Sequence, residues 1–340
     1  MKTNDDNQQD IHLKLEELHI KHFGCRFSRI SEIKAHGSDR KIYRLWCDDN
    51  STSIGIFNSN KSENRAFIEF ARHFRRQGLN VPEIYAVSDD LTNYITEDLG
   101  SQSLLCLIGN KFNGDIINLY REVIDSLIRF QTEAGEGIDY SLCYQFSEFS
   151  SENIDYDLNY FINNFLCNFT GKNHINLLIN DFEKIKHVIL SFDRDYFLYR
   201  DFQSRNIMIK NNKPYFIDFQ SGRKGALLYD IASLLYDAKA DIPQQIREEM
   251  LDYYLGKVSE KIRIDREKFI YGFWFFCIIR ILQALGAYGY LGLTKGRKEF
   301  LESIPYALRN INFILSSRIG KNELPCLAAL FNELNHSKLI

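Results

Sequence analysis

One segment constrains the fold more than any other. Residues 196–209 and 215–219, YFLYRDFQSRNIMI and YFIDF, contain apolar and aromatic runs of strand character, and the polar turn Lys210-Asn211-Asn212-Lys213-Pro214 joins them. Asp201 and Asn206 lie around the first run and Asp218 lies within the second. The turn is expected to bring the return strand beside the first. Asn206 and Asp218 could then converge on one metal ion, with Asp201 one loop away.

Such a set suits phosphoryl transfer. That reaction asks for a carboxylate to orient the attacking hydroxyl and accept its proton. It also asks for oxygen ligands that hold Mg²⁺ against the nucleotide phosphates, while the rest of the protein supplies position and charge. An Asp with an Asn five residues later is a weak signal alone. It gains specificity from flanking a strand whose partner carries Ile217-Asp218-Phe219.

The remainder of the chain divides by pattern. Residues 11–23 predict a short amphipathic helix. Residues 28–35 and 41–47 predict a hairpin around His36-Gly37-Ser38-Asp39-Arg40, and a third strand follows over 52–57. Ala66, Phe67, Phe70, Ala71 and Phe74 recur at three and four and predict a helix over 63–77, ended by Gly78 and Pro82. Residues 84–87 and 94–97 predict another hairpin. Beyond them helices dominate: 115–132, 153–168, 176–192, 229–239, 244–258, 266–288, 297–316 and 325–335. The expected architecture is α+β: an N-terminal extension over 1–27, a small antiparallel β lobe over 28–98, and a large helical lobe over 99–340 that carries the hairpin at 196–219.

Charge and composition remove several function classes. The net charge of −3 leaves no footprint for nucleic acid or an anionic membrane. The polar first ten residues lack the apolar core of a signal peptide. The most apolar stretch, 269–285, contains Arg280 and Gln283 and predicts a buried core helix, so the expected residence is the cytoplasm. The seven cysteines are scattered without a CxxC and the eight histidines are dispersed, so free thiols and no zinc are expected.

Tyr199-Arg200-Asp201-Phe202-Gln203-Ser204-Arg205-Asn206 resembles the kinase catalytic loop H-R-D-x-x-x-x-N, and Ile217-Asp218-Phe219 resembles the metal-binding D-F-G segment. Tyr229-Asp230-Ile231-Ala232 resembles the D-(L/I)-A segment of aminoglycoside phosphotransferase-like kinases. Within these, Arg200–Met208 and Ile217–Gln220 are most similar to the N-acetylmuramate/N-acetylglucosamine 1-kinases of cell-wall recycling. The resemblance follows the order of elements over most of 30–310 and is sharp across about 200–235. It implies a protein-kinase-like two-lobed fold with ATP as donor. It also implies Asp201 as catalytic base, Asn206 and Asp218 as Mg²⁺ ligands, and Ser204 and Arg205 as loop or acceptor-side residues. Asp230 is implied as a buried buttress of the loop. Glu97-Asp98-Leu99-Gly100 resembles the hinge that binds adenine through its backbone.

Three positions depart from that pattern. Tyr199 replaces the usual His. The phosphate loop has one glycine, Gly37, so contacts there would fall to backbone N–H groups, the Ser38 hydroxyl and Arg40. The strand Thr52–Phe57 lacks the phosphate-pairing Lys, leaving Glu63 or Glu69 of the next helix without its usual partner; Arg40, Lys41, Arg44 and Lys61 are the candidates to supply the charge. Arg223 and Lys224 could meet phosphate charge but read more simply as a solvated loop. Arg280 and Gln283, three apart on an apolar helix, would face the acceptor site if that helix caps it, or form a satisfied polar pair in the core. Gly286-Ala287-Tyr288-Gly289-Tyr290 predicts a close-packed turn.

The expected function is Mg²⁺- and ATP-dependent phosphorylation of a small-molecule hydroxyl, with the anomeric hydroxyl of an N-acetylated amino sugar favoured. The alternatives are a kinase for an aminoglycoside or choline-like amine, with Glu152, Asp155 and Asp157 as candidate acidic contacts, and a nucleotide-binding regulatory pseudokinase.

Overall fold

The computed structural model describes residues 4–34, 37, 39–109, 112–169, 173–320 and 322–336. Its strands are β1 (Arg29–Ile33), β2 (Lys41–Trp46), β3 (Thr52–Phe57), β4 (Ile84–Val87), β5 (Asn93–Glu97), β6 (Tyr196–Leu198), β7 (Ile207–Lys210), β8 (Lys213–Phe216) and β9 (Arg223–Gly225). The chain forms two compact units, each built from separated stretches.

The first unit gathers residues 1–104, 137–145 and 206–221. Its sheet has the order β1-β2-β3-β5-β4, antiparallel throughout. Helix α1 (Asn4–Phe23) lays Ile11, Leu15 and Leu18 against Tyr43, Leu45 and Ile95 of the sheet. Gly55 on β3 makes room for it: a Cβ there would come within 3.0 Å of the Leu15 methyl groups. Helix α2 (Lys61–Arg76) begins on Asn60, whose side chain accepts the Glu63 N–H, and ends with His73, Arg75 and Arg76 in its last turn. Both ends complement the helix dipole. Its buried face is the Ala66, Phe67, Phe70, Ala71 and Phe74 stripe that the sequence pattern marks.

The β7–β8 hairpin belongs to this first unit. Asn211 and Asn212 both take positive φ, 52° and 59°, as a tight two-residue hairpin turn requires. The Phe216 N–H donates to the Asn80 carbonyl and the Asn80 amide donates to the Pro214 carbonyl. On the other side, the Ile209 N–H donates to the Gln102 carbonyl.

The second unit gathers residues 105–136, 146–205 and 222–340 and is mainly helical. Its longer helices are α3 (Gly114–Gln131), α4 (Ser151–Phe161), α5 (Ile179–Leu190), α6 (Leu228–Leu235), α7 (Gln244–Ser259), α8 (Arg266–Tyr288), α9 (Ile304–Ser317) and α10 (Pro325–His336). The core helix is α8, which packs on α4, α6 and α9. Its apolar stretch, extended by the following turn to Thr294, is long enough to cross a membrane; the most apolar window is 78% buried inside the unit, as expected of a core helix.

The structure departs from the sequence pattern in several places, among them a 3-10 stretch over Lys298–Ser303 inside the helix expected at 297–316. Tyr196–Leu198 do not join the hairpin; they pair antiparallel with Arg223–Gly225, which is therefore a strand and not a solvated loop. Arg223 is buried at 1% exposure against Asn153, and burial together with the neighbouring Arg200 lowers its pKa to about 10. Asp218 lies beyond β8, not within it, in the left-handed region at φ 71°. The helix expected over 153–168 is α helix only to Phe161 and then a π turn over Ile162–Leu166. At 286–290, where a turn is expected, α8 runs on to Tyr288 and into a π turn over Gly289–Thr294. Close packing does hold there, because a Cβ on Gly289 would sit 2.0 Å from the Asn164 carbonyl oxygen.

Candidate active site

The loop after β6 is held from beneath. Arg200 has φ 82°, a conformation that costs a residue with a side chain about 1–3 kcal/mol. The fully buried Asp230, at the start of α6, accepts the Tyr199 N–H at 2.7 Å and the Arg200 N–H at 2.9 Å. Burial pushes its carboxyl up to about 7, while the two N–H donors favour the ionised form. The Arg200 guanidinium forms a buried two-point pair with Asp157 of α4, at 2.8 and 2.5 Å, and donates to the Tyr229 hydroxyl at 2.6 Å. The Tyr199 ring, at the usual His position, makes edge contacts with Phe130 and Phe202.

Asp201 follows directly and is partly exposed, and its carbonyl accepts the Gln203 N–H at 2.9 Å. Ser204 is fully buried; its hydroxyl meets the Tyr120 hydroxyl at 3.1 Å and its N–H donates to Asp237 at 3.1 Å. The Arg205 guanidinium lies 5.9 Å from the centre of the Phe300 ring.

The first unit brings together a second group. The Asn206 amide donates to one Asp218 oxygen at 3.4 Å, and the Ile217 N–H donates to the Asn206 carbonyl at 3.0 Å. The other Asp218 oxygen accepts the Gln220 amide at 2.8 Å and Arg40 at 3.3 Å. Arg40 also forms an ion pair with Glu63 on α2. Phe219 stacks on Phe67 of the same helix, with ring centres 4.9 Å apart. Of the four candidate cations, Arg40 is therefore the one set between Glu63 and Asp218, whereas Arg44 is paired with Asp98 at 2.6 Å. The Asp218 carboxylate and the Asn206 amide oxygen are hard donors of the kind Mg²⁺ takes, and the nearby guanidinium shows that this carboxylate attracts a cation. The residues fit that ion.

At the hinge-like segment, Lys210 of the hairpin holds the Glu97 carboxylate at 2.7 Å and the Asp98 carbonyl at 3.1 Å. Leu99 is buried and Gly100 turns the chain at φ 83°. Gly37 is exposed with φ 82°, and Ser38 lies outside the described residues.

In the second unit, the Arg280 Nε–H donates to the Ser233 hydroxyl at 2.9 Å, and another of its N–H groups donates to Gln283. Gln203, Ser233, Asp237, Arg280 and Tyr288 line a small cavity beside the Asp201 loop. The acidic candidates for a cationic acceptor are largely engaged. Asp157 is buried on Arg200, Asp155 is paired with Lys186 at 2.9 Å, and Glu152 is exposed on α4.

The sequence pattern marks no role for Gln220 or Asp237, and Asp157, a candidate contact for a cationic acceptor, is instead the buried partner of Arg200. The Ile-Asp-Phe-Gln run contained the first. Buried partners for Arg200 and Ser204 required the helix packing to be known.

Residues 193–266 match the model of the phosphotransferase enzyme family. The chain is similar to a protein of Neisseria meningitidis serogroup B named N-acetylmuramate/N-acetylglucosamine kinase, with 24% identity over 75% of this chain and 76% of that one. It is similar to a protein of the same name from Pseudomonas aeruginosa, with 23% identity over 86% and 85%. Among solved structures, a choline/ethanolamine kinase family protein from Mesorhizobium loti superposes with a TM-score of 0.62 at 10% identity, over 95% of this chain and 99% of that one. The fold is protein-kinase-like.

Proposed function

We propose that this chain, a phosphotransferase of the aminoglycoside phosphotransferase-like kinases, uses Mg²⁺ and ATP to phosphorylate the anomeric hydroxyl of an N-acetylated amino sugar. The observation that carries the reading is the carboxylate, amide and guanidinium group of Asp218, Asn206 and Arg40, together with the Asp201 loop that Asp230 holds in an unfavourable backbone conformation.

The roles follow from chemistry. Asp201 orients the acceptor hydroxyl and takes its proton as the oxygen–phosphorus bond forms and the bond to the nucleoside diphosphate breaks. Asn206 and Asp218 hold the metal ion, which supplies charge neutralisation to the phosphates when bound. Arg40 supplies the fixed positive charge that the β3 strand lacks, and Glu63 anchors it. Glu97 to Leu99 offer backbone groups to adenine, and the Gly37 backbone and the Ser38 hydroxyl are offered to phosphate. Arg280, which lines a cavity with Gln203, and Gln283, which accepts from Arg280, supply hydrogen bonds on the acceptor side.

The amino-sugar acceptor rests on the names of the two bacterial relatives and on the engagement of Asp155 and Asp157, which leaves little acid for a cationic antibiotic. Phosphorus NMR of the chain with Mg·ATP and N-acetylglucosamine or N-acetylmuramic acid tests it. The expected product is a sugar 1-phosphate. An ester at another position, or turnover only on amines, rejects the acceptor. Nucleotide binding without turnover on any acceptor would favour a regulatory role.

A further inference from the structure

The sequence pattern scatters cysteine and histidine, yet the fold gathers three of them far from the residues described above. His19, on the last turns of α1, Cys25, just after the turn that ends it, and Cys47, just after β2, have their ring nitrogen and sulfur atoms within 4.8 Å of one another. All three belong to the first unit.

His19 is fixed in a way that suits a ligand. It is fully buried, its ring packs against Phe23 and Phe27 at 4.5 and 5.7 Å, and its Nδ1 lies 2.8 Å from the Cys25 carbonyl oxygen. A carbonyl can only accept, so Nδ1 carries the proton and Nε2 carries the lone pair. Nε2 lies 3.5 Å from the Cys47 sulfur. A backbone carbonyl that holds the far ring nitrogen is the usual partner of a metal-binding histidine, because it sets the tautomer and raises the basicity of the ligand atom.

The spacing also suits one metal in particular. Zinc bonds of about 2.3 Å to sulfur and about 2.0–2.1 Å to nitrogen, in tetrahedral geometry, place N and S about 3.5 Å apart. The His19–Cys47 edge has that length, which in the metal-free pair is spanned by an S–H···N hydrogen bond that zinc would replace. Cys47 is held by a tight turn, with its N–H on the Ser51 carbonyl at 2.9 Å and its carbonyl on the Asn50 N–H at 3.1 Å. Cys25 is exposed and follows Gly24, which turns the chain at φ 74°; its sulfur lies within 4.8 Å of the other two ligand atoms, and side-chain rotation would have to shorten those edges when the metal binds. A nitrogen and two sulfurs select a thiophilic d¹⁰ ion over Mg²⁺.

We propose that His19, Cys25 and Cys47 form a zinc site with three protein ligands, and that its fourth position faces solvent at the exposed Cys25. Binding displaces the two thiol protons to solvent and joins the end of α1 to the turn after β2.

The test uses the full-length reduced chain and zinc alone, in competition with a chromophoric chelator. The expected result is one zinc per chain, with Cys25→Ser and Cys47→Ser each weakening affinity at least 100-fold and Cys106→Ser, an exposed cysteine elsewhere, leaving it unchanged. Zinc should also remove two thiols from reaction with a disulfide reagent. Thermal melting of the metal-free variants checks their folding: each should melt as the metal-free parent does, and only the parent and Cys106→Ser should gain stability from zinc. No zinc retained by the reduced chain at micromolar concentration overturns the site. So does unchanged affinity in Cys25→Ser, or a Cys25–Cys47 disulfide in a chain that takes up no zinc when reduced.

Discussion

Arg40 donates to the Asp218 carboxylate at 3.3 Å while its other terminal nitrogen pairs with Glu63. One guanidinium thus ties the entry to β2, the first turn of α2 and the residue after the hairpin. Its side chain is only 11% exposed, so the pair is weakly screened. Arg40→Ala is expected to cost about 1–3 kcal/mol by leaving two carboxylates short of a partner, and to weaken nucleotide binding further. Urea unfolding of Arg40→Ala, Glu63→Ala and the double variant measures the coupling, which should be well above zero; additive losses would separate the two residues.

Asp201→Asn should reduce turnover by roughly 10²–10⁴-fold, the usual contribution of a positioned base, with melting temperature and nucleotide affinity largely kept. Steady-state rates beside a nucleotide titration check this. Full activity in the variant rejects the assignment.

Asn206→Ala and Asp218→Ala should each diminish the Mg²⁺-dependent part of nucleotide binding. In the parent, nucleotide at one hundred times its Kd adds about 2.7 kcal/mol of stability, seen as a rise in Tm that a chelator reduces. In the variants the rise should be small and insensitive to the chelator. A parent-like response in both would remove them from the metal site.

Acid should loosen the Ser88–Thr92 turn and, to a lesser degree, its tie to α1. The Ser88 hydroxyl, the Thr92 N–H and hydroxyl, and Lys14 of α1 hold the Asp90 carboxyl well below its usual range. A carboxyl depressed in the folded state adds stability that is fully present above its unfolded value near 4 and is lost progressively as pH falls from there through the much lower folded value. Thermal melts from pH 6 down to pH 3 should show the onset of that loss, and Asp90→Asn should show a shallower one.

Gly289→Ala should destabilise the second unit by about 1–3 kcal/mol, since its Cβ would meet the Asn164 carbonyl oxygen at 2.0 Å. Ala287→Gly, on a partly exposed neighbour, should cost no more than about 1 kcal/mol. Denaturant midpoints of the two variants give the comparison.

Much of this molecule can be read locally. The Phe67, Phe70 and Phe74 spacing marks the buried face of α2, and the Asn211-Asn212 turn marks the β7–β8 hairpin, because both depend on residues close in sequence. The spacing of Asp201, Asn206 and Asp218 is readable for the same reason. The β6–β9 pair is not: a three-residue strand written Arg-Lys-Gly has no apolar alternation, and its partner lies 25 positions earlier, between Leu198 and Arg223 at one end of the ladder. The π turns also escape, since the apolar spacing of Phe161 and Phe165 continues across the shifted hydrogen bonds. The choice of Arg40 over Arg44 required α2 and Asp218 to be in place, because four basic side chains of similar reach look alike in one dimension.

The first unit takes its last structural segment from residues 206–221, although its sheet is complete by Glu97. During synthesis, the ribosome must therefore deliver more than twice the length of the sheet before Phe219 can cover Phe67 and Asn80 can find Pro214. Until then Phe67 has Tyr94 of β5 on one side but lacks its stacking partner on the other, and that open face is a natural client surface for a chaperone. A fragment cut at residue 104 keeps that exposure permanently, so recombinant work on this unit has to retain the hairpin, as a fused segment or as an added peptide.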